Sequence, residues 1–398
     1  MLTLFFYEPD HTGHHYPYLA RMLPGFVHSQ VKIILATTPK GAASPEYQRF
    51  LQPLAEHFTL ETDCVRRGAT PFKLAWNRVT EIDRLQKKHQ ADHLFIAYAD
   101  GVWQVHALRN LLRWVRRKPK FQMEGILYRG AFSYPGNDSK SSKIKRFLFR
   151  RLLAQGFYQR LLLDDEYLQE FAVLVGTNQP TEVELAVNPV QSFDFDRAAA
   201  RKQLGLNSEG RIISLSGVID NRKGADLLTY AFAEALERGL EDTTLLLAGP
   251  HYDDFIAVLH QPEIQRHANA GRIVSLDRLL DEQDMFSVAA ASDLVTAPYP
   301  NHSGRSSIVL WAAIAGTPVL TTDRGCIGRV VRAEKLGITC DVSDQSALLA
   351  AIETGLNQPW TKHDRERAMR YGEQHSVENY RTLNSRLVRA RIGHDLSN

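Results

Sequence analysis

The sequence predicts an α/β protein built from two doubly wound, mostly parallel sheets in series. Three observations carry that expectation. The 398 residues exceed what one ordinary hydrophobic core organises. Short apolar or β-branched runs alternate with amphipathic stretches, and strands separated by helices pair in parallel. The alternation restarts after Gly176–Asp196, a stretch rich in Pro, Asn, Thr and acidic residues.

In the first half the expected strands are Leu2–Tyr7, Val31–Ala36, His93–Tyr98, Gly125–Tyr128 and Arg160–Leu163. The expected helices there are Tyr16–Leu23, Pro71–Gln90, Val105–Arg117, Ser142–Gln155 and Glu166–Leu174. In the second half the expected strands are Ile212–Ser216, Thr244–Ala248, Ile273–Ser275, Leu294–Ala297 and Pro318–Thr321. Between the halves only Glu182–Val187 is strand-like, and Asp196 is placed to cap a short helix that Gly205 ends. The expected division is a Rossmann-like domain over 1–195, a second over 196–372, and a final segment 373–398. A helix over about Ser376–Ile392 lies in that segment and is free to pack back on the first domain.

Composition agrees with a folded, soluble chain: 44% of residues are hydrophobic and 23% charged. No apolar run approaches the ~18 residues of a spanning helix. Leu2–Tyr7 meets Glu8 and Asp10 at once, so it reads as a first buried strand rather than a leader. Cys64, Cys326 and Cys340 are odd in number and share no metal-like spacing, which suits reduced thiols in a cytoplasmic protein. The net charge of +3 is unevenly spread, and residues 109–151 hold 13 basic and two acidic side chains. Such a field suits anionic partners, a membrane surface or a phosphorylated acceptor among them, and equally a solvated basic face. Within it, Ile144, Phe147, Leu148 and Leu152 share one helical face flanked by Lys143, Lys145, Arg146, Arg150 and Arg151. That helix can lie on an anionic membrane or serve as a core helix with a wet basic edge.

The stretch Ser216–Leu228 carries the most chemistry. A buried strand ends at Ser216, Gly217 lets backbone approach a ligand, and Arg222 and Lys223 open an amphipathic helix whose N-terminus favours anions. These are the parts a diphosphate needs, and also those of an ordinary strand–helix turn. A second loop, Pro298–Ser307, follows another strand and leads into an apolar helix. Ser303, Gly304, Ser306 and Ser307 supply hydroxyls and exposed amides there, while His302 and Arg305 add charge. Two such loops at strand C-termini of one domain, where α/β ligands bind, reinforce one another.

In these motifs the C-terminal half resembles the retaining glycosyltransferases of GT-B fold, the family 4 group. The resemblance rests on Gly217, Lys223-Gly224, Asp226-Leu227-Leu228 and Ala231-Phe232. It continues through Leu247-Ala248-Gly249, Ala291-Ser292-Asp293-Leu294, Pro298, and Ala312 to Val319 with Ala315-Gly316-Thr317-Pro318. It spans roughly residues 200–345 and is loose in the first half, where Gly13-His14-His15 stands at the family's first glycine-rich loop. It implies two Rossmann-like domains facing across a cleft and a nucleotide-sugar donor on the second. It also implies a saccharide or lipid-linked acceptor on the first, and no metal or cofactor. Lys223, with Arg222, would neutralise the departing diphosphate. Gly13, His14, Ser216, Gly217, Gly249, Gly325 and the segment from Ser303 to Ser307, including Gly304, Arg305 and Ser306, would contact the donor. No nucleic-acid partner is implied.

The chain departs from the family pattern at two places. Val218 stands where an arginine follows the first glycine, and Ser303 and Trp311 stand where the family carries paired glutamates. An indole cannot accept a hydrogen bond from a ribose hydroxyl. The sequence therefore also admits a catalytically degenerate GT-B-like protein that binds a sugar or a partner. Asp100, in Tyr98-Ala99-Asp100-Gly101, is placed to meet an acceptor hydroxyl or to make an Asp-Gly turn. Asp164-Asp165-Glu166 reads as a helix cap rather than a metal site.

Overall fold

The computed structural model describes residues 1–64, 70–112, 121–176, 180–194, 196–207 and 209–395. The expected helix extension over 113–117 lies outside these. The chain divides into two compact units, Met1–Pro189 with Val377–Asn398, and Val190–Ser376.

The first unit holds β1 (Leu2–Tyr7), α1 (His15–Met22), β2 (Val31–Ala36), α2 (Pro39–Ala42), β3 (Thr59–Glu61), α3 (Pro71–His89) and β4 (His93–Ile96). It continues with α4 (Trp103–Leu112), β5 (Gln122–Leu127), α5 (Lys140–Gln155), β6 (Arg160–Leu163), α6 (Glu166–Val175) and β7 (Glu182–Leu185). All seven strands are parallel, in the order β3-β2-β1-β4-β5-β6-β7, so the winding reverses between β1 and β4. Side chains alternate across β1: Phe5 and Tyr7 enter the layer beneath α3 to α6, while Leu2, Leu4 and Phe6 enter the layer with Tyr16, Leu19 and Phe26. Both faces are covered, which is why β1 is apolar at every position but the partly buried Thr3.

The second unit holds α7 (Arg197–Gln203), β8 (Arg211–Ser216), α8 (Ala225–Glu237), β9 (Thr243–Ala248), α9 (Asp253–Leu259), α10 (Pro262–Asn269), β10 (Ile273–Leu276) and α11 (Glu282–Ala291). It ends with β11 (Leu294–Ala297), α12 (Ser307–Ile314), β12 (Val319–Thr322), α13 (Gly325–Ala333), β13 (Gly337–Cys340), α14 (Gln345–Asn357) and α15 (Lys362–Gln374). Its six parallel strands run β10-β9-β8-β11-β12-β13, with the reversal between β8 and β11. Asp196 caps α7 by accepting the Ala199 N–H at 2.9 Å. The helix α16 (Val377–Asp395) belongs to the first unit, where Tyr380, Val388 and Ile392 join its core.

A buried ionic cluster pins α16 in place. Arg160, with no exposed surface, donates to Glu124, to Glu184 at 3.3 Å, and to the carbonyls of Leu383 at 2.8 Å and Asn384 at 3.1 Å. Glu124 is shared with His93 at 2.6 Å. The parallel register sets Glu124 beside Arg160, so the cluster follows from strand pairing.

Asp165 caps α6 through the Leu168 N–H at 2.9 Å, and Asp164 accepts the Asn188 side-chain amide at 2.8 Å. Among the described residues no helix is long and apolar enough to cross a membrane.

Candidate functional site

In a doubly wound sheet, loops leaving neighbouring strands in opposite directions open a crevice where the winding reverses. In the second unit that point lies at the C-terminal ends of β8 and β11. Both loops singled out in the sequence start there.

Beyond β8, Asp220 organises the turn. Its carboxylate accepts the Lys223 backbone N–H at 3.0 Å and the Arg222 guanidinium at 3.0 Å. Arg222 is otherwise largely exposed, with 67% of its side chain accessible. Gly224 follows at φ +71°, and a Cβ there would lie 2.1 Å from the Pro298 carbonyl oxygen. That close approach brings the β8 and β11 loops together, and a larger residue would part them. The Lys223 side chain folds back over the turn. Its Nζ lies 2.8 Å from the place a Cβ on Gly217 would occupy and 5.7 Å from the centroid of the Tyr299 ring. Burial, then the neighbouring Arg222 charge, lowers the Lys223 pKa to about 8, with Asp220 pulling the other way.

Gly249, just beyond β9, closes the third side. Its φ is +132°, and a Cβ would stand 1.8 Å from the Gly217 carbonyl oxygen. Gly249→Ala is therefore expected to cost about 1–3 kcal/mol in backbone strain. It also displaces Gly217, so calorimetry should show the melting temperature falling.

The β11 loop is held from within. Tyr299 is buried and hydrogen-bonded to Ser306, and burial raises its pKa to about 12. His302 Nε2 donates to the Arg305 carbonyl at 2.9 Å, and burial lowers its pKa. Ser306 caps α12 by accepting the Ile308 N–H at 3.3 Å, and Ser307 is exposed at its first turn. The Ser303 carbonyl accepts the Cys326 N–H at 2.7 Å, and a Cβ on Gly325 would meet Ser303 at 2.7 Å. The start of α13 therefore abuts this loop.

The structure thus joins Ser216, Gly217, Lys223 and Gly249 around one turn and links them through Tyr299 to Ser306, while Ser303, Gly304 and Gly325 form the adjoining wall. Arg305 is placed differently. It lines a small cavity with Val309, Leu310, Ile327, Val330 and Tyr371, and its charge bears on His375. Trp311, 6% exposed, is packed within α12. Asp220 and Tyr299 were not singled out from sequence as ligand-site residues. An Asp three positions before a loop lysine is the cap signal that would have found the first.

The remaining residues named from sequence lie in the first unit, at its own reversal. Gly13 and His14 are exposed ahead of α1. The His14 ring stacks on His15 at 5.2 Å and packs near Tyr98 and Tyr128; although the residue as a whole is exposed, this crowding desolvates the ring and, with the His15 and Arg129 charges, lowers its pKa. His15 pairs with buried Glu8 at 3.0 Å. Asp100 accepts the backbone N–H groups of Tyr128 and Arg129, each at 2.9 Å, and burial pushes its pKa up to about 6.

Two doubly wound parallel sheets, one bearing cationic and glycine-rich loops at its reversal, are the architecture of the GT-B fold, which this chain shares with the solved structures it superposes on. Residues 210–358, within the second unit, match the model of the family described as Glycosyl transferases group 1. A D-inositol 3-phosphate glycosyltransferase of Rhodococcus jostii is 30% identical over 172 residues, covering 41% of this chain and 36% of the relative. The chain thus spans little more than a third of that relative's length. Sucrose-phosphate synthase from Thermosynechococcus elongatus superposes with a TM-score of 0.70 at 16% identity, covering 99% of this chain and 100% of that one. Anabaena HepE in complex with UDP and glucose superposes with a TM-score of 0.67 at 16% identity, covering 98% and 100%.

Proposed function

We propose that this protein transfers a sugar from a nucleotide-sugar, with retention, to a saccharide acceptor that is free or carried on a lipid. The observation that carries the reading is Lys223. It is a half-buried cation folded over Gly217 and Tyr299, at the point where the second sheet reverses. Binding of UDP and glucose by HepE, a protein of the same fold, supports the choice of donor class.

In this reading the diphosphate lies against Gly217 and Gly249, where side chains are absent, and the N-terminus of α12 faces it. As the glycosidic bond breaks, negative charge grows on the leaving phosphate, and Lys223 offsets it without a metal. Arg222, tethered to Asp220, supplies a second positive charge at the rim. Asp100, fixed by two backbone amides at the end of β5, keeps further acceptor capacity on its carboxylate for an acceptor hydroxyl.

The free-protein pKa of about 8 makes the reading testable. Above that value Lys223 loses its proton, whereas a bound diphosphate favours the charged form. UDP or GDP affinity should therefore fall by about tenfold per unit as pH rises beyond 8, with proton uptake on binding. Calorimetry in two buffers of different ionisation enthalpy measures both. Affinity that stays flat to pH 9.5 would remove Lys223 from the diphosphate site. If no nucleoside diphosphate at millimolar concentration raises the melting temperature, the donor reading itself fails.

The buried Trp311 favours a second reading, a sugar- or partner-binding protein without turnover, because that position offers no acceptor for ribose hydroxyls. Mass spectrometry of products against a donor panel separates the two.

A further inference from the structure

A helix covering a sheet needs one apolar stripe. A second stripe of large apolar side chains facing water is uncommon unless something covers it. On α5 the inward stripe is Phe149, Leu152 and Leu153, with Leu148 partly packed. Ile144 and Phe147, expected from the sequence to share one face with Leu148 and Leu152, are separated from that inward stripe and are 60% and 50% exposed. The neighbouring α6 leaves Val173 and Leu174 58% and 81% exposed.

These are not scattered residues. Phe147 and Leu174 line one groove with Arg150, Arg151, Ala154 and Val175. Ile144, Phe147, Arg151 and Ala154 recur at helical spacing along one side of α5. The cations are mounted on aromatic rings: the Arg151 guanidinium lies 5.6 Å from the Phe147 ring centroid, and that of Arg150 lies 5.4 Å from Phe171. Lys143 is exposed and Lys145 half-buried on the same helix. Arg146 is paired with Asp138 at 2.8 Å, and Glu170 lies one turn before Leu174.

We propose that the α5–α6 face is a docking surface for an anionic lipid bilayer. Ile144, Phe147 and Leu174 insert at the level of the headgroups, and Lys143, Lys145, Arg150 and Arg151 meet lipid phosphates. The chemistry of the patch selects this occupant. Apolar side chains alone would suit any hydrophobic partner and basic ones alone any polyanion, but aliphatic tips ringed by long cationic side chains match the boundary between acyl chains and charged headgroups. Each basic side chain near such a surface contributes about fivefold in partitioning. This proposal goes beyond the transfer reading and stands or falls without donor or acceptor present.

The test is co-sedimentation of the full chain with vesicles, alongside sedimentation velocity and thermal unfolding. The chain is expected to bind phosphatidylglycerol/phosphatidylethanolamine vesicles, to bind far less in 0.5 M salt, and to leave pure phosphatidylcholine vesicles unbound. Arg150→Glu with Arg151→Glu should weaken binding by roughly 25-fold or more. Phe147→Ser with Leu174→Ser should weaken it by about tenfold or more, with the melting temperature held. Equal binding to both vesicle types, or to neither, overturns the proposal. So does wild-type binding by the charge-reversed pair. It also falls if Phe147→Ser with Leu174→Ser dissolves a dimer of the chain, or if Arg150→Glu with Arg151→Glu abolishes oligonucleotide binding while vesicle binding stays intact.

Discussion

Lys223→Ala is expected to lower turnover on any accepted nucleotide-sugar by about 100-fold or more, the usual loss when one group that stabilises a developing anion is removed. The fold should survive. Lys223 caps nothing with its side chain, and the turn is held by Asp220 through the Lys223 backbone N–H, which alanine keeps. The pKa supplies a second readout. Because the folded-state value, about 8, lies below the ordinary 10.5, the unfolded chain binds more protons between those values. Wild-type stability therefore gains from this group as pH rises through that window, and the alanine variant should lack that increment. A variant that keeps turnover, or that unfolds at neutral pH, would place Lys223 in the scaffold rather than the chemistry. Steady-state kinetics and pH-dependent denaturation together decide it.

Arg160→Ala should destabilise the first unit by about 3–5 kcal/mol, because Glu124 is left buried beside His93 without its strongest partner. Two carbonyls of α16 lose their donors at the same time. The damage should therefore be read in two places by hydrogen exchange: the β5–β6 ladder and the middle of α16. Arg160→Met combined with Glu124→Gln removes both charges and should recover much of the loss. If the double variant is no better than Arg160→Ala, packing of the long side chain rather than its charge holds the cluster.

The two reversed sheets were legible because buried parallel strands are written as mostly apolar runs with only small hydroxyl residues between, as in Leu2–Tyr7 and Ile212–Ser216. The strands that escaped were β3 and β13, both at sheet edges and only partly buried, where Thr59–Glu61 and Gly337–Cys340 carry no such run. Strand β5 begins at Gln122, ahead of the expected Gly125, since pairing with His93 and Leu94 overrides the polar start. At the second sheet's reversal, Gly217, Lys223 and Gly304 could be read locally as small and cationic residues between strand and helix. Tyr299 could not, because its place beside Lys223 depends on two loops some 75 residues apart meeting where Gly224 touches Pro298. The same limit applies to α5. Its sequence contains more apolar positions than one stripe needs, and only the packing of Phe149 and Leu152 shows which of them face inward.

The return of α16 to the first unit has a consequence for biosynthesis. When Pro189 leaves the ribosome, the layer containing Tyr16, Leu23 and Phe26 lacks Tyr380, Val388 and Ile392, which have not yet been made. Translation of the intervening stretch takes roughly ten to forty seconds at ordinary elongation rates. Throughout that interval the earliest-made half presents unfinished hydrophobic surface, and Arg160 waits for the carbonyls of Leu383 and Asn384. The half made first is thus the half completed last, and nascent-chain chaperones have the longest opportunity to engage it there.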